Sequence, residues 1–83
     1  MKISIRGDKL VVTKAIKETI ESKLERLEKY FEKNADITAH VVIKVKNLDQ
    51  TIEVTIPTNR FTLRAEETNE DLYSAIDWKW RGL

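Results

Sequence analysis

Four cations in one stretch of the chain, Lys23, Arg26, Lys29 and Lys33, recur at spacings of three and four residues. Residues so spaced share one face of a helix, about 100° apart per step. Thr19, Ser22 and Tyr30 lie among them. A row of ammonium and guanidinium groups with hydroxyls and one aromatic ring suits phosphate contacts and stacking, the chemistry of RNA binding. On the opposite flank stand Glu18, Glu21, Glu25, Glu28 and Glu32, with Lys14 and Lys17 beside them. Helix stability alone favours mixing: Glu21–Glu25 and Glu28–Glu32 are like-charge i,i+4 pairs, each unfavourable by roughly 0.2–0.5 kcal/mol. The plain reading is a solvated helix face; the segregated one is a surface for an anion.

No catalytic constellation competes with that surface. His40 is the single histidine and falls on the outer face of a strand. There is no cysteine, hence no disulfide framework and no thiolate metal site. Ser4, Ser22 and Ser74 have no base in pattern, and Gly7 and Gly82 belong to no phosphate loop. The main carboxylate cluster lies on an exposed helix face, where two carboxyls do not acquire the separated pKa values that acid–base work needs. The expectation is a protein that is not an enzyme, with no cofactor, no metal and no small-molecule substrate. With no signal peptide and no long apolar run, it is expected in the cytoplasm, away from membranes.

The elements that must position these residues follow from periodicity. "KISIR" alternates, with Ile3 and Ile5 on one face, and Gly7-Asp8 reads as its closing turn. A helix follows, capped by Thr13, with Ile16, Ile20, Leu24, Leu27 and Phe31 as its apolar stripe and Asn34 as its stop. Three alternating runs come next. The first puts Ile37, Ala39, Val41, Ile43 and Val45 inside, with Val42 breaking the outer face; 47–50 is a turn. The second buries Ile52, Val54 and Ile56 and ends in a turn at Pro57-Thr58-Asn59. The third buries Phe61, Leu63 and Ala65. A last helix starts near Thr68 or Asn69, with Asp71 in its first turn and Leu72, Ala75 and Ile76 on its apolar face. The 83 residues make one domain of the α+β class, ordered β-α-β-β-β-α. Its expected form is a four-stranded mixed sheet with both helices on one face and a short second helix. A right-handed crossover makes the first strand parallel to the second.

The stretch "LVVTKAIKETIESKLERLEKYFEKN" resembles the first helix of the ribosome hibernation-promoting factors, also called ribosome-associated inhibitor proteins. "EDLYSAID" resembles the motif opening that family's second helix, and "ISIRG" and "TLRAEE" fit in order and spacing. The likeness covers residues 2 to 77. It implies a β-α-β-β-β-α domain that binds the small ribosomal subunit in the channel of mRNA and tRNA and holds idle ribosomes silent. It also implies contact with ribosomal RNA through basic helix faces. In this chain that share falls on Lys23, Arg26 and Lys29, with Lys33 added, and on Lys79 and Arg81 as the remnant of a basic second helix. Long members carry a second, dimerising domain after a linker; the expectation here is 1–83 alone.

The chain departs from the family after Asp77. If the second helix continued, Trp80 would fall on its inner stripe, Trp78 would point away, and Lys79 would have to be buried at a cost. A short second helix would leave Phe61 and Leu63 less protected. Exposed apolar surface beside two tryptophans then predicts self-association into a homo-oligomer. The alternative function is a regulatory or protein-interaction module of the same fold without ribosome binding. In that case the acidic flank is as eligible a contact as the basic one.

Overall fold

A computed structural model describes residues 1–31 and 36–80. Strand β1 (Lys2–Asp8) leads into helix α1 (Lys14–Glu25) and a short 3-10 turn (Glu28–Tyr30). Strands β2 (Thr38–Lys46), β3 (Asp49–Pro57) and β4 (Thr62–Asn69) follow, then helix α2 (Leu72–Ala75). The sheet has four strands in the order β1-β2-β3-β4. β1 runs parallel to β2, and the other pairs are antiparallel. This is the expected α+β mixed sheet.

Alternation decides which face is covered. Ala39, Val41, Ile43, Ile52, Val54 and Ile56 are at most 1% exposed, and Leu63 and Ala65 are buried beside them. Ile16, Ile20 and Leu24 of α1 close over this face, together with Leu72, Ala75, Ile76 and Trp78 from the C-terminal segment. The opposite face carries Arg6 and Glu53 on either side of Val42, and His40 and Arg64 on either side of Thr55, with Lys44 bonded to Glu53. One-sided burial is what a period-two pattern with polar residues between apolar ones requires.

Several boundaries differ from the sequence reading. Gly7 and Asp8 are not a turn: β1 continues through both, paired with Ile43 and Lys44. The chain reverses at Lys9, whose φ is 60°. It returns so closely that a Cβ on Gly7 would collide with the backbone carbonyl of Leu10. The glycine is required for that approach. Thr13 caps α1 as expected, its Oγ1 accepting from the Ile16 N–H at 3.3 Å.

The α-helix, however, ends at Glu25, well before Asn34, which lies outside the described residues. Bonds three residues apart take over, from the N–H of Leu27 to the carbonyl of Leu24 and from Tyr30 to Leu27, so the segment tightens. Tightening keeps Leu27 and Phe31 against the core.

The turn between β2 and β3 narrows to Asn47-Leu48, with Asn47 at φ 59°, a conformation Asn tolerates. Val45, next to that hairpin tip, is 39% exposed rather than inside. Pro57 is the last residue of β3, where it pairs with Thr62. Phe61 therefore falls in the loop before β4 and is 46% exposed, outside the inner face on which it was expected. At the other end β4 runs on through Thr68 and Asn69. The cap of α2 is Asp71, which accepts from the Tyr73 N–H, while Asn69 accepts from the Asp71 N–H.

Candidate nucleic-acid interface

α2 is only four residues long, with Ile76 as its C-cap. A helical wheel loses its meaning beyond that point. Trp78, expected to face away, is 3% exposed, and Lys79, expected on the inner stripe, is exposed. The chain leaves the helix at Ile76 and folds the indole onto the core, and Trp80 packs edge-on against it at 5.8 Å and 81°. The burial of Trp78 and of Leu63 (4% exposed) removes the grounds on which exposed tryptophans and an uncovered sheet implied self-association. Of the side chains named for that reading, Phe61 alone stays substantially exposed.

Lys23 holds this segment in place. Its Nζ donates to the carbonyls of Ile76 at 2.9 Å and Trp78 at 2.7 Å. It lies 4.4 Å from the centre of the Trp78 ring and 3.8 Å from Asp77 Oδ1. These bonds satisfy carbonyls left orphaned where α2 stops, and the ring face favours the cation. Burial lowers the lysine's pKa from its ordinary 10.5; Asp77 opposes the shift, Arg26 adds to it, and Glu67 opposes it. The indole Nε1 of Trp78 is buried without an acceptor among the described residues. No sequence pattern announced this clasp, because its partners are backbone carbonyls more than fifty residues away.

The other cations of the flank have a different setting. Arg26 is the exposed C-cap of α1 and makes no ion pair among the described residues. Lys29 is exposed, its Nζ 5.2 Å from the ring centre of Tyr30. Arg26 borders an open groove of about 570 Å³ between α1 and α2, with Thr19, Ser22, Lys23, Tyr73 and Asp77 along it. Lys33 and Arg81 lie outside the described residues, and Lys79 is exposed after the last turn. On the acidic flank, Glu18 and Glu21 pair with Lys14 and Lys17 at 3.7 and 3.9 Å. Glu28 meets the N-terminal amine at 3.6 Å. The carboxylates of this flank are thus partly answered within the chain, whereas Arg26 and Lys29 face solvent.

A family model described as Sigma 54 modulation protein / S30EA ribosomal protein matches residues 3–79. The chain belongs to this family. Among its relatives, a ribosome hibernation promotion factor of Lactococcus lactis subsp. cremoris (strain MG1363) is 43% identical over 79 residues, which are 94% of this chain and 43% of that protein. One of Staphylococcus aureus (strain COL) is 47% identical over 78 residues, 93% of this chain and 41% of that protein. The chain therefore spans less than half the length of these relatives.

The N-terminal domain of Thermus thermophilus Protein Y superposes with a TM-score of 0.80 at 33% identity, over 93% of this chain and 84% of that one. A ribosomal subunit interface protein from Coxiella burnetii gives 0.78 at 22% identity, over 93% and 82%, and supports the fold. Membership extends to residue 79 and so includes the clasped segment as far as Lys79. Among the described residues, no helix is long and apolar enough to cross a membrane.

Proposed function

We propose that this family member binds the small ribosomal subunit in the cytoplasm, in the channel that mRNA and tRNA use, and silences it by occupancy. The observation that carries the reading is the exposure of Arg26 and Lys29 on one flank of α1, in a chain whose relatives are named ribosome hibernation promotion factors. These two residues lead the contact with ribosomal RNA. Lys33, Lys79 and Arg81 extend it by their place in the sequence. Lys23 contributes mainly by holding the C-terminal segment beside the groove, since two of its three donors are already engaged. The mode of action needs no bond-making step: a folded, cationic wedge excludes other ligands from an anionic channel.

Cosedimentation with purified small subunits over a range of salt tests the reading. About four phosphate contacts give a slope of log K against log salt near −3. Replacing Arg26 and Lys29 together by Gln should weaken binding and flatten the slope by about 2. An unaltered slope in that variant removes this flank from the interface. A chain that fails to cosediment at low salt removes the ribosome.

A further inference from the structure

Where β2 begins and β3 turns into β4, a cleft of about 330 Å³ opens beside the end of the helical segment. That volume is at the lower end of the range for pockets that hold small ligands. Three aromatic residues line it: Phe31 is half-buried against the core, while Tyr30 at 71% and Phe61 at 46% are exposed. Aromatic side chains scattered singly over a surface mean little, but two converging on one cleft offer flat apolar faces to a flat partner.

The loop presenting Phe61 is built to stay in shape. Thr58 Oγ1 accepts from the N–H groups of Arg60 at 3.4 Å and Phe61 at 3.0 Å, and the Thr58 N–H donates to the Phe61 carbonyl at 2.8 Å. Pro57 fixes φ at its entry. A loop backbone held this way loses little freedom on binding.

Charge around the cleft narrows the partner. Lys29 stands by the Tyr30 ring, and Arg60 lines the cleft from the loop. Asp36, exposed, also lines the cleft and is an acceptor when ionised. A ligand matching this set has a π-face, anionic groups beside it and hydrogen-bond donors. An aliphatic anchor from a protein partner would use the rings but leave Asp36 and the flanking cations unanswered. Duplex RNA hides its base faces in the stack, whereas single strands can splay a base onto an aromatic ring.

We propose that this cleft receives one unstacked base of single-stranded RNA. The base stacks on Phe61 and Tyr30, Lys29 and Arg60 meet the flanking phosphates, and Asp36 accepts from the Watson–Crick edge. Guanine, with two adjacent donors on that edge, is preferred over uracil, which has one. The cleft deepens the ribosome reading and rests on it only for the source of the RNA.

The test is fluorescence anisotropy of the intact chain with short labelled RNAs: all-uridine, the same with one central guanosine, and a hairpin with that guanosine in its stem. The single-stranded guanosine RNA should bind tightest. Phe61→Ala and Tyr30→Leu should each weaken it by about 5- to 150-fold, the range for removing one stacking ring. The salt slope should be unchanged, because no phosphate contact is lost. Asp36→Ala should erase the preference for guanosine over uridine.

Equal binding by wild type and both aromatic variants overturns the proposal, as does equal binding of the hairpin and the single strand. If Phe61→Ala unfolds, Tyr30→Leu decides, since that ring is largely in solvent. A chain that ignores small subunits but binds the guanosine RNA through Phe61 keeps the cleft and loses the ribosome reading. A chain that cosediments with subunits while both variants bind oligonucleotide normally does the reverse.

Discussion

Lys23 and Lys29 lie on one flank of one helical segment, and their surroundings give them different work. Lys23 is turned inward: it donates to two carbonyls, lies over an indole and holds a chain segment that has no regular structure of its own. Lys29 is exposed beside an exposed tyrosine and makes no ion pair among the described residues. The difference teaches that a cationic stripe is a list of charges, not a list of free charges. A cation next to the end of a short helix is a natural donor to orphan carbonyls. Lys29, further along the same flank, has no such neighbour among the described residues.

The comparison breaks first at Trp78. Its truncation to Ala should cost about 3–5 kcal/mol, as for other large buried aromatics, while Phe61→Ala should stay near 0.5 kcal/mol; urea denaturation midpoints measure both. If the two costs are alike, the C-terminal segment is not part of the core.

Lys23→Met comes next. Loss of its charge-assisted bonds should lower stability by about 1–3 kcal/mol, and Arg26→Met should change it by no more than about 0.5 kcal/mol. In subunit binding the order should invert, with Arg26 the more sensitive position at matched fold. For that reason a charge reversal at Lys23 is a test of folding before it is a test of RNA binding.

The smallest effect is in pH. The folded pKa of Lys23 lies below its unfolded 10.5, so between the two the unfolded chain holds the extra proton. Stability therefore gains a contribution as pH rises through that window, and the contribution is absent well below it. The wild type minus Lys23→Met difference, followed by denaturation from neutral pH to above 10.5, isolates this from the other lysines. A difference flat across the window removes the burial of the ammonium.

Much of the fold was legible because burial alternates at the period the sequence shows. Ile52, Val54, Ile56 and the Ile16–Ile20–Leu24 stripe point where their spacing says. The misreadings cluster at ends. Val45 and Phe61 keep the alternation in sequence but sit at a hairpin tip and in a loop, where no helix covers them. Gly7 reads as a turn residue and is a strand residue made small by a returning backbone. Of the candidate interface, the basic flank was visible from charge spacing. The clasp on Lys23 was not, nor was the cleft that gathers Tyr30, Asp36 and Phe61 from three separate stretches of chain.

Sequence by itself determined the element order, the parallel first pair, the buried face of the sheet and the kinship that covers residues 3–79. These depend on local periodicity and on motifs that are contiguous in the chain. Tertiary structure alone decided where α2 stops, that Trp78 turns inward, and which lysine of the basic flank stays open to a partner. Each of those outcomes is a choice between solvent and a distant part of the chain. That choice is set by which carbonyls and rings the fold leaves unsatisfied nearby, and no spacing in the sequence records it.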